Sequence, residues 1–233
     1  MAWQNTGTTG LFAEPTNGGQ GFKAWSASRT ADGSGGTPPV GAGFFLGDST
    51  AGGGGNLNSN DNSCFGMYGT GYIVAPNQAY SANAIRELAS PLMIGGTFTF
   101  KLGIQFRNGF KGVVLKNGTT DIFAFRAGAL GGGDAYQTAV NSGTVLGAYS
   151  DLGWGYAGNS VFTIAYNRTG TSTAQVLVRQ TGTVNNVTTV NINAGSLSTA
   201  VDRAEWFVAG TTAGGAQNDL YFNSLSAYNE WRL

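Results

Sequence analysis

An all-β fold, an antiparallel two-sheet β-sandwich of the jelly-roll kind, is predicted by three observations. Phe98, Phe100, Leu102, Ile104 and Phe106 alternate with Thr99, Lys101, Gly103 and Gln105, a period of two that buries one face of a strand and wets the other. Asn117-Gly118 stands between two runs of strand formers, Val113 to Lys116 and Asp121 to Phe125, where a two-residue hairpin turn belongs. Gly, Thr, Asn, Ser and β-branched residues dominate, and no window keeps an apolar stripe at helical spacing.

The remaining elements follow in order. An edge strand is expected around 21–28, with Pro38-Pro39 closing the entry loop. Strands come next at 43–46, 64–74 and 84–88. From residue 98 the alternation opens a meander to residue 192, read as five to seven consecutive antiparallel strands. Its further turns lie at 167–170, between 161–166 and 174–179, and near Asn185-Asn186. Val187 and Thr189 fall out of step with Val190 and Ile192, which predicts a bulge. Strands at 204–209 and 219–228 complete the set, and Gly-rich loops occupy 52–55, 131–133 and 214–215. Short strands with regular turn signals pack as two sheets. With no linker and no internal repeat, residues 1-233 read as a single β-sandwich domain.

Composition narrows the function. Among 233 residues there are 39 Gly, 12 Lys+Arg against 12 Asp+Glu, one Cys and no His; 41% are hydrophobic and 12% aromatic. Charged residues make up 10%, against roughly 25% in an average globular chain. Zero formal charge with scattered Lys and Arg leaves no electrostatic footprint for nucleic acid or an anionic membrane. Without His there is no Ser-His-Asp or Cys-His catalysis and no imidazole metal ligand. The lone Cys64 is expected as a small buried hydrophobe. No stretch approaches the roughly 20 apolar residues of a spanning helix, so membrane insertion is not expected. The chain opens without the charged and apolar regions of a signal peptide, yet its low charge and abundant Asn, Thr, Ser and Gly are the composition of an extracellular module.

Glycoside hydrolysis needs two carboxylates flanking one bond. Glu14 and Glu230 lie near the termini, Glu87 follows Arg86, and Glu205 stands three residues after Asp202. Residues three apart on a strand face opposite sides, so that pair does not converge and no catalysis is expected. The Asn-rich loop with Asn56, Asn58, Asn60 and Asp61 offers hard oxygen donors, but Asx turns account for it as well. Aromatic residues are the remaining resource. Trp25 and Trp206 stand in apolar runs and are expected in the core. Trp154, flanked by Gly153 and Gly155 and close to Tyr149 and Tyr156, is the expected exposed platform for stacking on a sugar.

Gly21-Phe22-Lys23-Ala24-Trp25, Gly43-Phe44-Phe45-Leu46-Gly47-Asp48-Ser49, Arg86-Glu87-Leu88, Pro91-Leu92 before Gly95-Gly96-Thr97-Phe98, and Asn218-Asp219-Leu220-Tyr221-Phe222-Asn223-Ser224-Leu225 occur in that order. Together they resemble secreted bacterial concanavalin A-like jelly-roll modules of the LamG type. The last segment is similar to the D-x-Y-F-D-N ending of calcium-bearing carbohydrate-binding modules. Asp219 and Tyr221 match it, while Asn223 replaces the second Asp. The resemblance implies an extracellular sandwich with a structural calcium at Asp219, partnered by Asp48, and a sugar-binding or adhesive role. The expected function is a non-catalytic carbohydrate-binding module for a polysaccharide or cell-surface glycan, with Trp154, Tyr156 and Tyr149 as its ligand-binding residues. The alternative is a structural surface subunit that self-associates through exposed strand edges.

Overall fold

A computed structural model describes residues 22–29, 41–51, 54–58, 64–69, 80–128, 135–211 and 216–229 of the chain. Its strands are β1 (Phe22–Arg29), β2 (Ala42–Gly47), β3 (Cys64–Gly69), β4 (Ser81–Leu88), β5 (Thr97–Ile104), β6 (Phe110–Asn117) and β7 (Thr120–Ala127). They continue as β8 (Tyr136–Val140), β9 (Ser150–Asp151), β10 (Val161–Arg168), β11 (Thr173–Thr181), β12 (Asn186–Asn193), β13 (Arg203–Ala209) and β14 (Leu220–Tyr228). A 3-10 turn at Ala216–Asn218 leads into β14. The strands form two seven-stranded antiparallel sheets, ordered β1-β4-β13-β6-β7-β8-β9 and β12-β11-β10-β5-β14-β3-β2. The predicted two-sheet sandwich is the fold, and its first edge strand is β1, paired with β4 alone.

Several local expectations are corrected. The run from β5 to β12 is not one meander, because β6 to β9 join the first sheet while β5 and β10 to β12 join the second. Period-two alternation is identical in either sheet, so it carries no mark of the crossings. Phe98, Phe100, Leu102 and Ile104 are fully buried, but β5 ends at Ile104 and Phe106 is 39% exposed. The first hairpin turns one residue later than expected. Asn117 pairs with Thr120 across Gly118 and Thr119, and Gly118 takes φ +58°, as the first central residue of a type II′ turn does. There is no bulge in β12: its register with β11 runs unbroken from Thr173↔Asn193 to Gln180↔Asn186. Val187 simply faces outward. β3 ends at Gly69, and the rest of the expected strand to residue 74, Pro38-Pro39 and the loops at 131–133 and 214–215 lie outside the described residues.

Inward side chains of the two sheets meet as a ladder of rings. Trp206 of β13 stacks on Phe222 of β14, centroids 4.8 Å apart and planes 10° from parallel. Phe100 of β5 meets Trp206 edge-on at 5.5 Å, and Trp25 of β1 meets Phe65 of β3 at 5.0 Å. At the other flank Phe125 and Tyr136 close on Phe162 of β10 at 5.2 Å and 4.7 Å. Offset and edge-on geometries of this kind add about 0.5–1.5 kcal/mol per pair beyond the area buried. Arg86 is also turned inward, and its guanidinium is received by the rings of Phe22 and Trp25 at 5.5 Å and 5.0 Å. Cys64 is buried, as expected, with its Sγ toward the Gly47 carbonyl oxygen; burial pushes its thiol up to about 12.

The ladder and the end of β5 make opposite demands on two phenylalanines. Phe100→Ala is expected to cost about 3–5 kcal/mol of unfolding free energy. Phe106→Ala, beyond the strand and exposed, is expected to cost under about 1 kcal/mol. Urea denaturation of the two variants measures the contrast.

Candidate functional site

One end of the sandwich collects the groups with binding chemistry. The register Val161↔Gly103 and Leu220↔Ile104 brings the end of β5 beside the starts of β10 and β14. In the facing sheet, Lys111↔Ala127 and Ala127↔Tyr136 set the start of β6, the end of β7 and the start of β8 together. The segments 105–109, 152–160 and 216–219 therefore share this rim.

The segment carrying Trp154 and Tyr156 is pinned at both ends. On entry, the Leu152 amide donates to the Tyr136 carbonyl and the Gly153 amide to Asp151 Oδ1 at 2.8 Å, with Gly153 at φ +68°. On exit, the Ser160 hydroxyl donates to the Ala157 carbonyl and receives Gln180 Nε2. Trp154 departs from the expected open platform: it is half-buried and packs against the core. Tyr156 is 46% exposed. Its ring lies 6.2 Å from that of Phe106, and Gln105 Nε2 donates to its hydroxyl at 2.7 Å. Gly155 between Trp154 and Tyr156 faces open space.

Arg107 completes the cluster. Its guanidinium carbon sits 5.3 Å from the Tyr136 ring and 5.9 Å from the Tyr156 ring, and Nη1 donates to the Trp154 carbonyl at 3.4 Å. Among the described residues no carboxylate forms an ion pair with it. The rim thus offers two exposed aromatic faces, a charged planar donor and an amide. Tyr149, the third expected ligand residue, is elsewhere. Its ring lies 3.6 Å from the Arg126 guanidinium, whose Nε donates to Gln137 on the outer face of the first sheet. Phe106 and Arg107 were absent from the expected site because alternation assigned Phe106 to the core, and one Arg in a scattered set carries no sequence signal.

Asp219 and Asp48 occupy separate settings. Lys111, inward-facing and fully buried, donates from Nζ to the Asn218 carbonyl at 2.6 Å. Burial brings its amine down to about 7 and raises the Asp219 carboxyl to about 7, while the charge of each partly offsets the shift of the other. Asp48 spends Oδ1 on the Thr50 amide, the Thr50 hydroxyl and Asn58 Nδ2, at 2.8, 2.6 and 2.6 Å. These bonds hold its carboxyl below the ordinary range, that of the Thr50 hydroxyl most of all. A buried amine whose charge acts on one carboxylate and which bonds the carbonyl before it, and three donors on one oxygen of the other, do not fit a calcium shell, which takes six to eight oxygens. The donor set is that of a buried Lys–Asp couple and a closed Asx loop. Three of the carboxylates weighed for hydrolysis are engaged too. Glu87 pairs with Lys23 and Arg203, Glu205 with Lys116, and Asp202 with Arg203 and the Gly118 amide.

No family model matches the chain, and none of the curated proteins does. Solved structures of similar shape include the catalytic domain of a glycoside hydrolase family 131 protein from Coprinopsis cinerea, at 13% identity over 89% of this chain and 84% of that one, TM-score 0.49. A tetrameric galectin from the ball sponge Cinachyrella sp. matches at 15% identity over 63% of this chain and 99% of its own, TM-score 0.42. The alginate lyase from Klebsiella pneumoniae matches at 15% identity over 58% and 60%, TM-score 0.35. All three are sequences of low identity with TM-scores below 0.5, and the antiparallel two-sheet sandwich rests on the strand pairing of this chain itself.

The Lys111–Asp219 couple sets a pH dependence. Asp219's folded pKa lies above its unfolded value of 3.8, so its contribution is full below that value and is lost as pH rises toward 7. Lys111's folded pKa lies below 10.5, so its contribution is full above that value and is lost as pH falls toward 7. The couple contributes least near neutrality. Between about pH 5 and pH 7, Asp219→Asn is expected to reduce the fall in stability by about 1 kcal/mol per pH unit, read from urea midpoints at both pH values.

Proposed function

We propose that this protein is an extracellular carbohydrate-binding module whose ligand is a polysaccharide bearing acidic units, held on the rim formed by Phe106, Arg107 and Tyr156. One observation carries the reading: the exposed rings of Phe106 and Tyr156 lie together, and against the Tyr156 ring stands a guanidinium that no described carboxylate pairs with. Aromatic faces present a large, rigid apolar surface with a polar tip, suited to the C–H face of a sugar ring. A guanidinium in its fork geometry matches a carboxylate or sulfate with paired hydrogen bonds. Pinning of the 152–160 segment means that little ordering remains to be done on binding, which favours affinity. The Trp154 carbonyl accepts from Arg107, which ties the guanidinium to the segment that carries Tyr156. Tyr149 is left out of the site.

Calorimetric titration with polygalacturonate and with its methyl-esterified form tests the reading. Tyr156→Ala is expected to weaken binding about fivefold or more with an unchanged melting temperature. Arg107→Gln is expected to abolish the preference for the free acid. Absence of binding to either polymer and to a broad glycan array, or full affinity in Tyr156→Ala, contradicts it.

A further inference from the structure

Among the described residues the second sheet ends on β12, and the strand's own sequence lacks the usual defences of a sheet edge. Among the described strands it has one neighbour, β11, to which it is paired over eight successive residues without a shift. Alternate residues of such a strand turn their N–H and C=O groups away from the partner, so every second residue of β12 points its backbone donor and acceptor to a side where no described strand lies. Its sequence, Asn186-Val187-Thr188-Thr189-Val190-Asn191-Ile192-Asn193, contains no charge and no proline. Natural edges are blunted by shortness, bulges, proline or lysine. Both edges of the first sheet follow that rule: β9 has two residues, and β1 is interrupted by a register shift and carries Lys23 and Arg29. Val187 at β12 is 60% exposed and Val184 in the turn before it is 38% exposed.

We infer that β12 is a homodimer interface, pairing antiparallel with β12 of a second copy across a two-fold axis perpendicular to the sheet. The second copy is the occupant that the edge itself specifies. A two-fold axis in that direction brings β12 against itself in the antiparallel sense and keeps inward residues opposite inward residues. Thr188, Val190 and Ile192 then continue the core row, and Val187 and Thr189 the outer row, with no like charges opposed. The union extends one seven-stranded sheet into another. Because the contact is isologous it closes at two copies, so self-association through β12 produces dimers and no filament. This inference is independent of the glycan reading.

Light scattering on the eluting protein from micromolar to millimolar concentration tests it, alongside the double variant Val187→Lys, Thr189→Lys. Both substituted side chains face solvent, so the variant retains the fold, checked by its melting curve. The wild type is expected to reach twice the 24.0 kDa chain mass, and the variant to remain at the chain mass over the same range. Hydrogen exchange supplies a readout that needs no variant: every second β12 amide is expected to gain protection as concentration rises. A wild type that stays monomeric with freely exchanging β12 amides overturns the inference. So does a dimer that the lysines leave intact, or an assembly that grows past two copies.

Discussion

The flat stack of Trp206 on Phe222 is the contact on which the rest of the molecule depends. It joins the middle of one sheet to the middle of the other, and Phe100, Phe65 and Trp25 build outward from it. With the sheets locked face to face along this ladder, their strand ends come into fixed relation. Lys111 of the first sheet can then reach across to the Asn218 carbonyl of the second, and Arg107 at the end of β5 meets the Tyr136 ring of β8. The rim is thus a consequence of core packing, which fixes the strand ends from which its segments leave, and of the hydrogen bonds that pin those segments.

Outer faces of both sheets are largely committed to structure. On the second sheet Phe45 lies over Gly66 and Tyr68 over Gly43, positions where a Cβ would approach ring atoms within 2.3 and 2.8 Å. Leu57 covers Gly103, held by the Ser49 hydroxyl on its amide and by Asn223 on its carbonyl. The first sheet carries an ion row running from Lys23 through Glu87 to Arg203 and a second joining Glu205, Lys116 and Asp121. Exposed pairs of this kind contribute at most about 1 kcal/mol each, but they occupy the carboxylates. The Phe106–Tyr156 rim and the edge at β12 are among the exposed features of the described residues that these contacts leave open.

How much of this was legible in the sequence follows from the range of each signal. Local periodicity identified β5, β10 and β11 because buried residues alternate with more exposed ones over most of β5 and β10 and along all of β11. Asn117-Gly118 located the first hairpin to within one residue, since φ > 0 at Gly118 is a local demand. Sheet membership was not legible, because a strand reads the same in either layer. Tyr156 entered the expected site through its closeness to glycine-flanked Trp154 and is exposed, but the half-burial of Trp154 depends on core residues distant in sequence. Arg107 and Lys111 were invisible for the same reason: one is remarkable only for what surrounds it, and the other faces inward on a strand whose neighbours gave no reason to expect a buried amine. The Asp219 motif matched in letters, yet the buried amine whose charge acts on it is that of Lys111, far earlier in the chain.

The central claim is that ligand is held on the rim by residues 105–107 and 154–156. Amide and indole chemical shifts of the labelled protein, followed while an oligogalacturonate is added, test it most directly. The account predicts saturable shifts confined to Gln105, Phe106, Arg107, Trp154, Gly155, Tyr156 and their immediate neighbours. Saturable shifts centred on the outer face around Tyr149 and Arg126, with the rim unmoved, would contradict it.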